Sequence, residues 1–110
     1  MPANPLIALA AAHAVPPAAA RDSQTLFRHG TMEVRWWTPP MPDDQVPHRR
    51  DELYAVVQGT GWFVRAGDRI ACGPGDLLFV AAGVEHRFED CTPDFGTWVL
   101  FWGPQGGETA

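Results

Sequence analysis

The residues best suited to chemistry in this sequence are two histidines and one glutamate, each next to an apolar run. Glu52 directly precedes Leu-Tyr-Ala-Val-Val, His48 lies four residues before it, and His86 opens the later run His-Arg-Phe-Glu. Burying a carboxylate costs free energy unless a partner compensates its charge. The residues leave two explanations open: a charge-paired structural bridge, or a cation that they share.

A turn is needed to bring His48 and Glu52 together. On one continuous strand the two residues would stand about 13 Å apart, at roughly 3.3 Å per residue. If residues 49–51 instead form a hairpin turn, the two become cross-strand neighbours, about 5 Å apart at Cβ. Three consecutive charged residues are poor strand material, so the sequence favours the turn. Glu52, Tyr54 and Val56 are then expected to point inward.

His86 and Tyr54 complete the set of candidate site residues. His86 follows an Ala-Ala-Gly turn and shares a strand face with Phe88. Tyr54 lies two residues after Glu52 on the same face, where its hydroxyl can donate a hydrogen bond to a substrate or a ligand; a tyrosine of the core is the alternative. We predict Tyr54 as the catalytic side chain.

Short apolar runs separated by turns predict an all-β fold. The chain has 110 residues, with 11 glycines and 11 prolines distributed between runs of period two. Such spacing is typical of a sandwich or barrel of short antiparallel strands. We expect one barrel domain over residues 25–103, preceded by an Ala/Pro-rich extension (1–24) that is poorly ordered or short-helical, and followed by a polar tail (104–110) that frays.

The tryptophans are expected to fill the interior of the barrel. Four of them lie in predicted strands: Trp36, Trp62, Trp98 and Trp102. Together with Phe88, Trp36 and Trp62 are expected to make the pocket apolar. Trp37 falls on the opposite face of its strand, so we expect it to pack against a second subunit or the N-terminal extension.

Charge and composition disfavour several classes of protein. The net charge is −5, and no cluster of Lys and Arg with interleaved aromatic residues points to nucleic acid. No stretch is long and apolar enough for a membrane span. Cys72 and Cys91 lack the spacing of a metal site and are expected to be free thiols. A cytoplasmic protein is the expectation.

Two stretches, ELYAVVQGTG and GPGDLLFVAAGVEH, resemble the two motifs of the cupins, which are small β-barrels of jelly-roll type. The first motif is a His-x-His pair, a glutamate and a glycine, matched here by His48, Glu52 and Gly59, with Val46 in place of the earlier histidine. The second motif is matched by Gly75 and His86, with Ala81 for its proline and Asp90 for its asparagine. The resemblance covers roughly residues 25–103.

The resemblance implies a metal site. It places ligands at His48, Glu52 and His86, a set of two histidines and one carboxylate that is typical of non-haem Fe(II) oxygenases. The position of the fourth ligand is Val46, for which Gln45 or Asp51 is a possible replacement. The implied cofactor is one divalent transition-metal ion, with Fe, Mn, Ni and Zn all open.

The resemblance also implies a function and an assembly. We expect a metal-dependent enzyme of the dioxygenase-like or isomerase kind that acts on a small molecule inside the barrel. The alternative is a cupin that binds or senses a small molecule or metal without turnover. A homodimer is implied as well, and Leu53, Ala55 and Val57, with Trp37, are apolar enough to form a covered outer face.

Overall fold

Two short helices and eight strands make up the part of the chain that the structure, a computed structural model, describes, residues 5–109. The helices are α1 (Leu9–His13) and α2 (Pro17–Ala20). The strands are β1 (Gln24–His29), β2 (Met32–Trp37), β3 (Asp51–Gln58), β4 (Gly61–Arg65), β5 (Asp68–Cys72), β6 (Leu77–Val80), β7 (His86–Glu89) and β8 (Gly96–Trp102). Within residues 5–109, no helix is long and apolar enough to cross a membrane.

The strands form two antiparallel sheets. One sheet has five strands in the order β1-β2-β8-β3-β6, and the other has three in the order β5-β4-β7. Both helices lie in the N-terminal extension, before β1. The predicted all-β class is confirmed, while the boundaries at residues 24 and 103 stay a prediction.

Strand β3 has the inward face that the sequence predicts. Glu52, Tyr54 and Val56 are buried, and the residues that alternate with them are partly exposed. Alternating side chains point to opposite faces of a sheet, so an apolar run with a single carboxylate at its start carries that carboxylate inward. This orientation places Glu52 at one end of the core.

Strand β2 faces the opposite way from the prediction. Trp37 belongs to the main core, where its ring stacks on that of Tyr54 with centroids 6.2 Å apart. Trp36 points outward and is covered by Ala12 and Ala20 of the N-terminal helices. The alternation showed correctly which residues share a face, but it did not show which face is inside, because the N-terminal extension also offers an apolar cover.

The other tryptophans also lie outside the main core. Trp62 is exposed and lies under the guanidinium group of Arg69, whose Cζ is 4.2 Å from the ring centroid. Trp98 packs edge-on against Trp36, at 5.3 Å between centroids. The expectation that tryptophans fill the barrel is therefore wrong. Besides Trp37 and Tyr54, the large rings of the core are Phe63, Phe88, Phe95 and Phe101.

The segment before β3 is irregular. Residues 38–50 contain no strand, so the predicted hairpin across residues 49–51 is wrong. A bend at residues 49–50 nevertheless turns the chain, and the carbonyl oxygen of His48 accepts a hydrogen bond from the backbone nitrogen of Gly83 at 2.8 Å. This bond ties the segment that carries His48 to the loop before β7.

The C-terminal segment packs over this bend. Asp51 accepts backbone hydrogen bonds from Ala82 at Oδ1 (3.0 Å) and from Glu108 at Oδ2 (2.9 Å). The backbone nitrogen of Gly106 donates to the carbonyl oxygen of Arg49 at 2.7 Å. Residues 104–109 of the tail are therefore attached rather than frayed, and Asp51 joins three segments of chain.

Candidate metal centre

The structure brings His48, Glu52 and His86 together. The Oε1 atom of Glu52 lies 3.2 Å from Nδ1 of His48 and 3.1 Å from Nε2 of His86. One ligand atom from each residue falls within 4.8 Å of the others. Glu52 is the second residue of β3 and His86 the first of β7, whereas His48 lies in the irregular segment. We refer to these three residues as the metal centre, since the cluster can hold one metal ion.

The short distances in the metal centre are not accompanied by hydrogen bonds. Nδ1 of His48 and Oε1 of Glu52 are buried, and neither has a hydrogen-bond partner among residues 5–109. Nδ1 of His86 lies 2.9 Å from the carbonyl oxygen of Val84, a contact that requires a proton on this nitrogen. Nε2 of neutral His86 then carries a lone pair. Lone pairs that face one another repel unless a cation lies between them, so this donor set fits a metal ion.

The electrostatics of the site also favour a cation. Burial opposes the ionisation of Glu52, but the imidazoles of His48 and His86 outweigh it and lower the pKa of the carboxyl group. Burial likewise opposes charge on His86, while the carboxylate of Glu52 and the carbonyl of Val84 raise the pKa of its imidazole. Glu52 is therefore favoured as a carboxylate beside two imidazole rings. A metal ion bound by all three groups would compensate this negative charge.

Tyr54 lies directly beside the metal centre. Its hydroxyl is 3.1 Å from Nε2 of His86 and 3.3 Å from Oε1 of Gln45. Gln45 donates through Nε2 to Asp43 at 2.7 Å, which turns its Oε1 toward the tyrosine. Burial and the negative charge of Glu52 raise the pKa of Tyr54 well above its ordinary value. The phenol therefore keeps its proton, which it donates to Oε1 of Gln45.

Val46, which occupies the position of the fourth cupin ligand, and the two candidate replacements, Gln45 and Asp51, lie in different surroundings. Val46 is 71% exposed. Gln45 lines the same cavity as the metal centre, where its carbonyl oxygen accepts from Tyr54. Both carboxylate oxygens of Asp51 accept backbone N–H groups. Gln45 therefore lies beside the site through its contact with Tyr54, whereas Asp51 binds the backbone around the site.

A cavity of about 570 Å³ adjoins the metal centre, and its lining is more polar than expected. Trp37, Val99 and Phe101 supply apolar surface, while Trp36, Trp62 and Phe88 do not line it. Its ionisable residues are His48, Glu52, Arg21, Arg35, Arg49, Arg50, Asp22, Asp43 and Asp44. The expectation of an apolar pocket is therefore wrong.

A second buried carboxylate near this cavity escaped the sequence analysis. Glu33 is 3% exposed and accepts hydrogen bonds from Thr25 Oγ1 and Arg35 Nε, both at 2.7 Å, and from Arg50 Nη2 at 2.9 Å. Arg28 Nη2 lies 3.3 Å from the same carboxylate. The only signal in the sequence is the pair Glu33 and Arg35 alternating with apolar residues, which looks the same as a solvent-exposed face.

The fold and the site together define a class: antiparallel β-barrels with a cluster of two histidines and a glutamate beside an internal cavity. The family model described as a cupin domain matches residues 38–101. The chain therefore belongs to the cupin family, as the two motifs predicted.

Comparison with individual proteins supports the same fold. An uncharacterised protein of Streptomyces coelicolor is 33% identical over 63 residues, which span 57% of this chain and 60% of that protein. A putative mannose-6-phosphate isomerase of Ralstonia eutropha is similar in structure, with a TM-score of 0.59, 23% identity, and coverage of 74% of this chain and 83% of that one. A cupin 2 conserved barrel domain protein of Salinispora arenicola has a TM-score of 0.57, 18% identity and 74% coverage of both chains.

Proposed function

We propose that this protein is a mononuclear metal-dependent cupin that acts on a small organic molecule in its cavity. The observation that carries this proposal is the convergence of Nδ1 of His48, Oε1 of Glu52 and Nε2 of His86, two of them buried without hydrogen-bond partners. Mixed imidazole and carboxylate ligation suits Fe, Mn, Ni or Zn in the divalent state. The reaction class is that of an oxygenase or an isomerase.

The side chains of the metal centre and its surroundings have different roles. A bound ion supplies a Lewis acid for a chelating substrate and, if it is iron, a centre for dioxygen chemistry. Glu52 contributes one negative charge, and the carbonyl of Val84 fixes the ring orientation of His86. Tyr54 holds a proton at its hydroxyl, 3.1 Å from Nε2 of His86. In the free protein this proton is donated to Oε1 of Gln45, and a bound substrate oxygen would take the place of that acceptor.

Turnover tests the enzymatic proposal against a binding or sensing role. Fe(II)-loaded protein is assayed for oxygen uptake with catechols, thiols and diketones, and Zn(II)-loaded protein is assayed by NMR for aldose–ketose interconversion. We expect turnover in one assay, and Tyr54→Phe should retain the metal while lowering kcat by about tenfold or more. Ligand binding without product in either assay would contradict an enzyme and favour the non-catalytic alternative.

We also propose that the protein forms a homodimer through the outer face of the five-stranded sheet. Leu77 and Phe79 on β6 are 65% and 47% exposed, and they pair with Ala55 and Leu53 of β3. Trp37, which the sequence analysis assigned to this face, lies in the core instead. The N-terminal helices cover the neighbouring part of the same face around Trp36. An apolar strip at the sheet edge suits a second copy of the chain.

Light scattering tests this assembly. Phe79→Lys should convert a dimer into a monomer, because it places a charge in the apolar strip. Ile70→Lys is the matched control, since Ile70 is 49% exposed but lies on β5 in the other sheet. A monomeric wild-type protein, or a dimer that survives Phe79→Lys, would contradict the proposal.

A further inference from the structure

Glu33 and Glu52 of the metal centre lie on the same inner face of the five-stranded sheet. Glu33 pairs with Phe101, and Phe101 pairs with Glu52, so the two carboxylates stand two strands apart, about 10 Å at roughly 4.8 Å per strand. The guanidinium group of Arg50 lies 5.1 Å from the centroid of Phe101, and the ring of His48 lies 5.1 Å from the same centroid. One aromatic ring therefore separates Arg50 from the metal centre.

The cluster around Glu33 has an excess of positive charge. Three guanidinium groups, those of Arg28, Arg35 and Arg50, contact one carboxylate. One of them suffices to neutralise it, so two positive charges remain. The side chains of Arg35 and Arg50 are each only 28% exposed, so water screens this excess incompletely. A partly buried positive surface attracts an anion.

Arg35 and Arg50 are held in place at the cavity, and we call these two side chains the arginine wall. Arg35 donates through Nε to Glu33 at 2.7 Å and through Nη1 to the carbonyl oxygen of Ser23 at 2.9 Å. Arg50 donates through Nη2 to Glu33 at 2.9 Å and through Nη1 to the carbonyl oxygen of Thr31 at 3.1 Å. Both line the cavity that contains His48 and Glu52. A guanidinium group that is already ordered loses less conformational entropy when a ligand binds.

The acidic residues that line the cavity make their contacts away from the arginine wall. Asp43 is buried and accepts hydrogen bonds from the side chain and backbone of its neighbour Gln45 and from the backbone of β7. Asp22 and Asp44 are exposed and are matched in number by two other exposed arginines, Arg21 and Arg49. Glu52 belongs to the metal centre. Among residues 5–109, Glu33 is therefore the one carboxylate that forms ion pairs with the arginine wall.

We propose that the arginine wall is an anion-binding subsite of this cavity. This inference rests on the proposed function, since it assigns the class of ligand for the same site. The ligand is a small oxyanion, a carboxylate or a phosphate, with one polar end directed at the metal centre and its anionic group bound by Arg35 and Arg50. Guanidinium groups bind both kinds of oxyanion through paired hydrogen bonds.

Calorimetric titration with matched probes tests the subsite. Malonate is compared with propane-1,3-diol, its neutral analogue of equal chain length, on metal-free and on Zn(II)-loaded protein. Malonate should bind and the diol should bind far more weakly. Arg35→Gln and Arg50→Gln should each weaken malonate binding by about tenfold or more, because each removes a charged hydrogen-bond donor. A parallel titration with methylphosphonate distinguishes a phosphate subsite from a carboxylate subsite.

Arg28→Gln is the matched control. Arg28 contacts the same carboxylate of Glu33, but its side chain is 68% exposed and does not line the cavity. This variant should keep the malonate affinity of the wild type. An equal loss for Arg28→Gln and Arg35→Gln would show a diffuse charge effect and overturn the subsite, as would equal affinities for malonate and the diol.

Metal stoichiometry, measured on each sample before titration, separates the two proposals. If zinc binds but malonate affinity does not depend on Arg35 or Arg50, the subsite is wrong and the metal centre stands. If the wild type binds no zinc but metal-free protein binds malonate through both arginines, the subsite stands and the proposed function is wrong. Circular dichroism of each variant confirms that it is folded.

Discussion

Two buried glutamates on one sheet differ in how many hydrogen bonds their carboxylates accept. Glu33 on β2 and Glu52 on β3 are 3% and 1% exposed and lie in one row, with Phe101 between them. Glu33 accepts hydrogen bonds from four side chains. Oε1 of Glu52 has no hydrogen-bond partner among residues 5–109.

The difference is what a structural role for Glu33 and the proposed metal-binding role of Glu52 predict. Buried polar groups in proteins are nearly always hydrogen-bonded, so an unpaired one calls for an explanation. The chain supplies the partners of Glu33, and these partners give one wall of the cavity its positive charge. It leaves an oxygen of Glu52 facing two imidazole nitrogens, which is the arrangement that a cation completes.

Replacing each of the two glutamates by glutamine tests this difference in charge compensation. It has the largest expected effect on stability. In metal-free protein, Glu33→Gln should lower the free energy of unfolding by about 3 kcal/mol, because it leaves the guanidinium groups without their counter-charge. Glu52→Gln should lower it by less than about 1 kcal/mol, because the carboxylate makes few satisfied contacts to lose. Urea unfolding followed by tryptophan fluorescence measures both.

The exposed contact to Glu33 provides the control. Arg28→Gln removes one partner of Glu33 at the surface and should cost less than about 1 kcal/mol. Equal destabilisation by Glu33→Gln and Glu52→Gln would mean that the two charges have the same structural role. That result would contradict the proposed difference between them.

Acid should remove the contribution of Glu33 to the free energy of unfolding. Burial opposes the ionisation of Glu33, but hydrogen bonds from Thr25, Arg50 and Arg35 outweigh it and lower its pKa from 4.5 to about 2. Because the pKa is lower in the folded state, the stabilisation is complete above about pH 4.5 and is lost as the pH falls toward 2. The difference in unfolding free energy between wild type and Glu33→Gln should shrink over this range. A difference that is unchanged at about pH 3 would exclude this assignment.

The two ends of the row are also held by different means. The cluster around Glu33 is held by its own ion pairs, whereas the bend that carries His48 and Glu52 is held by Asp51 and the C-terminal segment. Gly107 has a φ of +88°, and a Cβ there would lie 2.8 Å from Oδ1 of Asp51 and 3.0 Å from Cβ of Ala82. Any side chain at position 107 would push this attachment apart.

Adjacent glycines give a matched pair of variants with a smaller effect. Gly106 has a φ of +91°, but a Cβ there would meet nothing within 4 Å. Both alanine substitutions should cost about 1 kcal/mol of backbone strain, and Gly107→Ala should cost about 1 kcal/mol more. Gly107→Ala should also weaken metal binding several-fold. Equal losses of stability and unchanged metal affinity would show that the C-terminal segment does not support the site.

The sequence predicted β3 better than β2 for a physical reason. An apolar run that starts with one carboxylate has a single sensible orientation, so Glu52 and Tyr54 were assigned inward correctly. Strand β2 has apolar residues on one face and Trp37 on the other, and alternation alone does not tell which face the N-terminal helices cover. Arg35 is the one partner of Glu33 on the same strand, and the others come from β1 and from the bend at Arg50. The Glu33/Arg35 alternation alone looks like an exposed face, so the burial of Glu33 left no distinctive local signal.

The sequence also did not predict the irregular parts of the site. The turn after His48 was placed correctly, but its hairpin geometry was wrong, because hydrogen bonds to Gly83 and to Gly106 hold it instead of strand pairing. The attachment of the tail depends on Asp51, whose acceptors face backbone N–H groups of two remote segments. Such contacts carry no periodic pattern.

Metal binding to the three side chains tests the central claim most directly. Protein purified without an affinity tag is titrated with Zn(II) and Fe(II), in parallel with His48→Ala, Glu52→Gln and His86→Ala. His13→Ala is the control, since His13 is exposed on α1 and bonds to Gln58. We expect one ion per chain in the wild type and in the control, and a loss of at least about tenfold in affinity in each of the other three. Wild-type affinity in His86→Ala, or no binding by the wild type, would contradict the account.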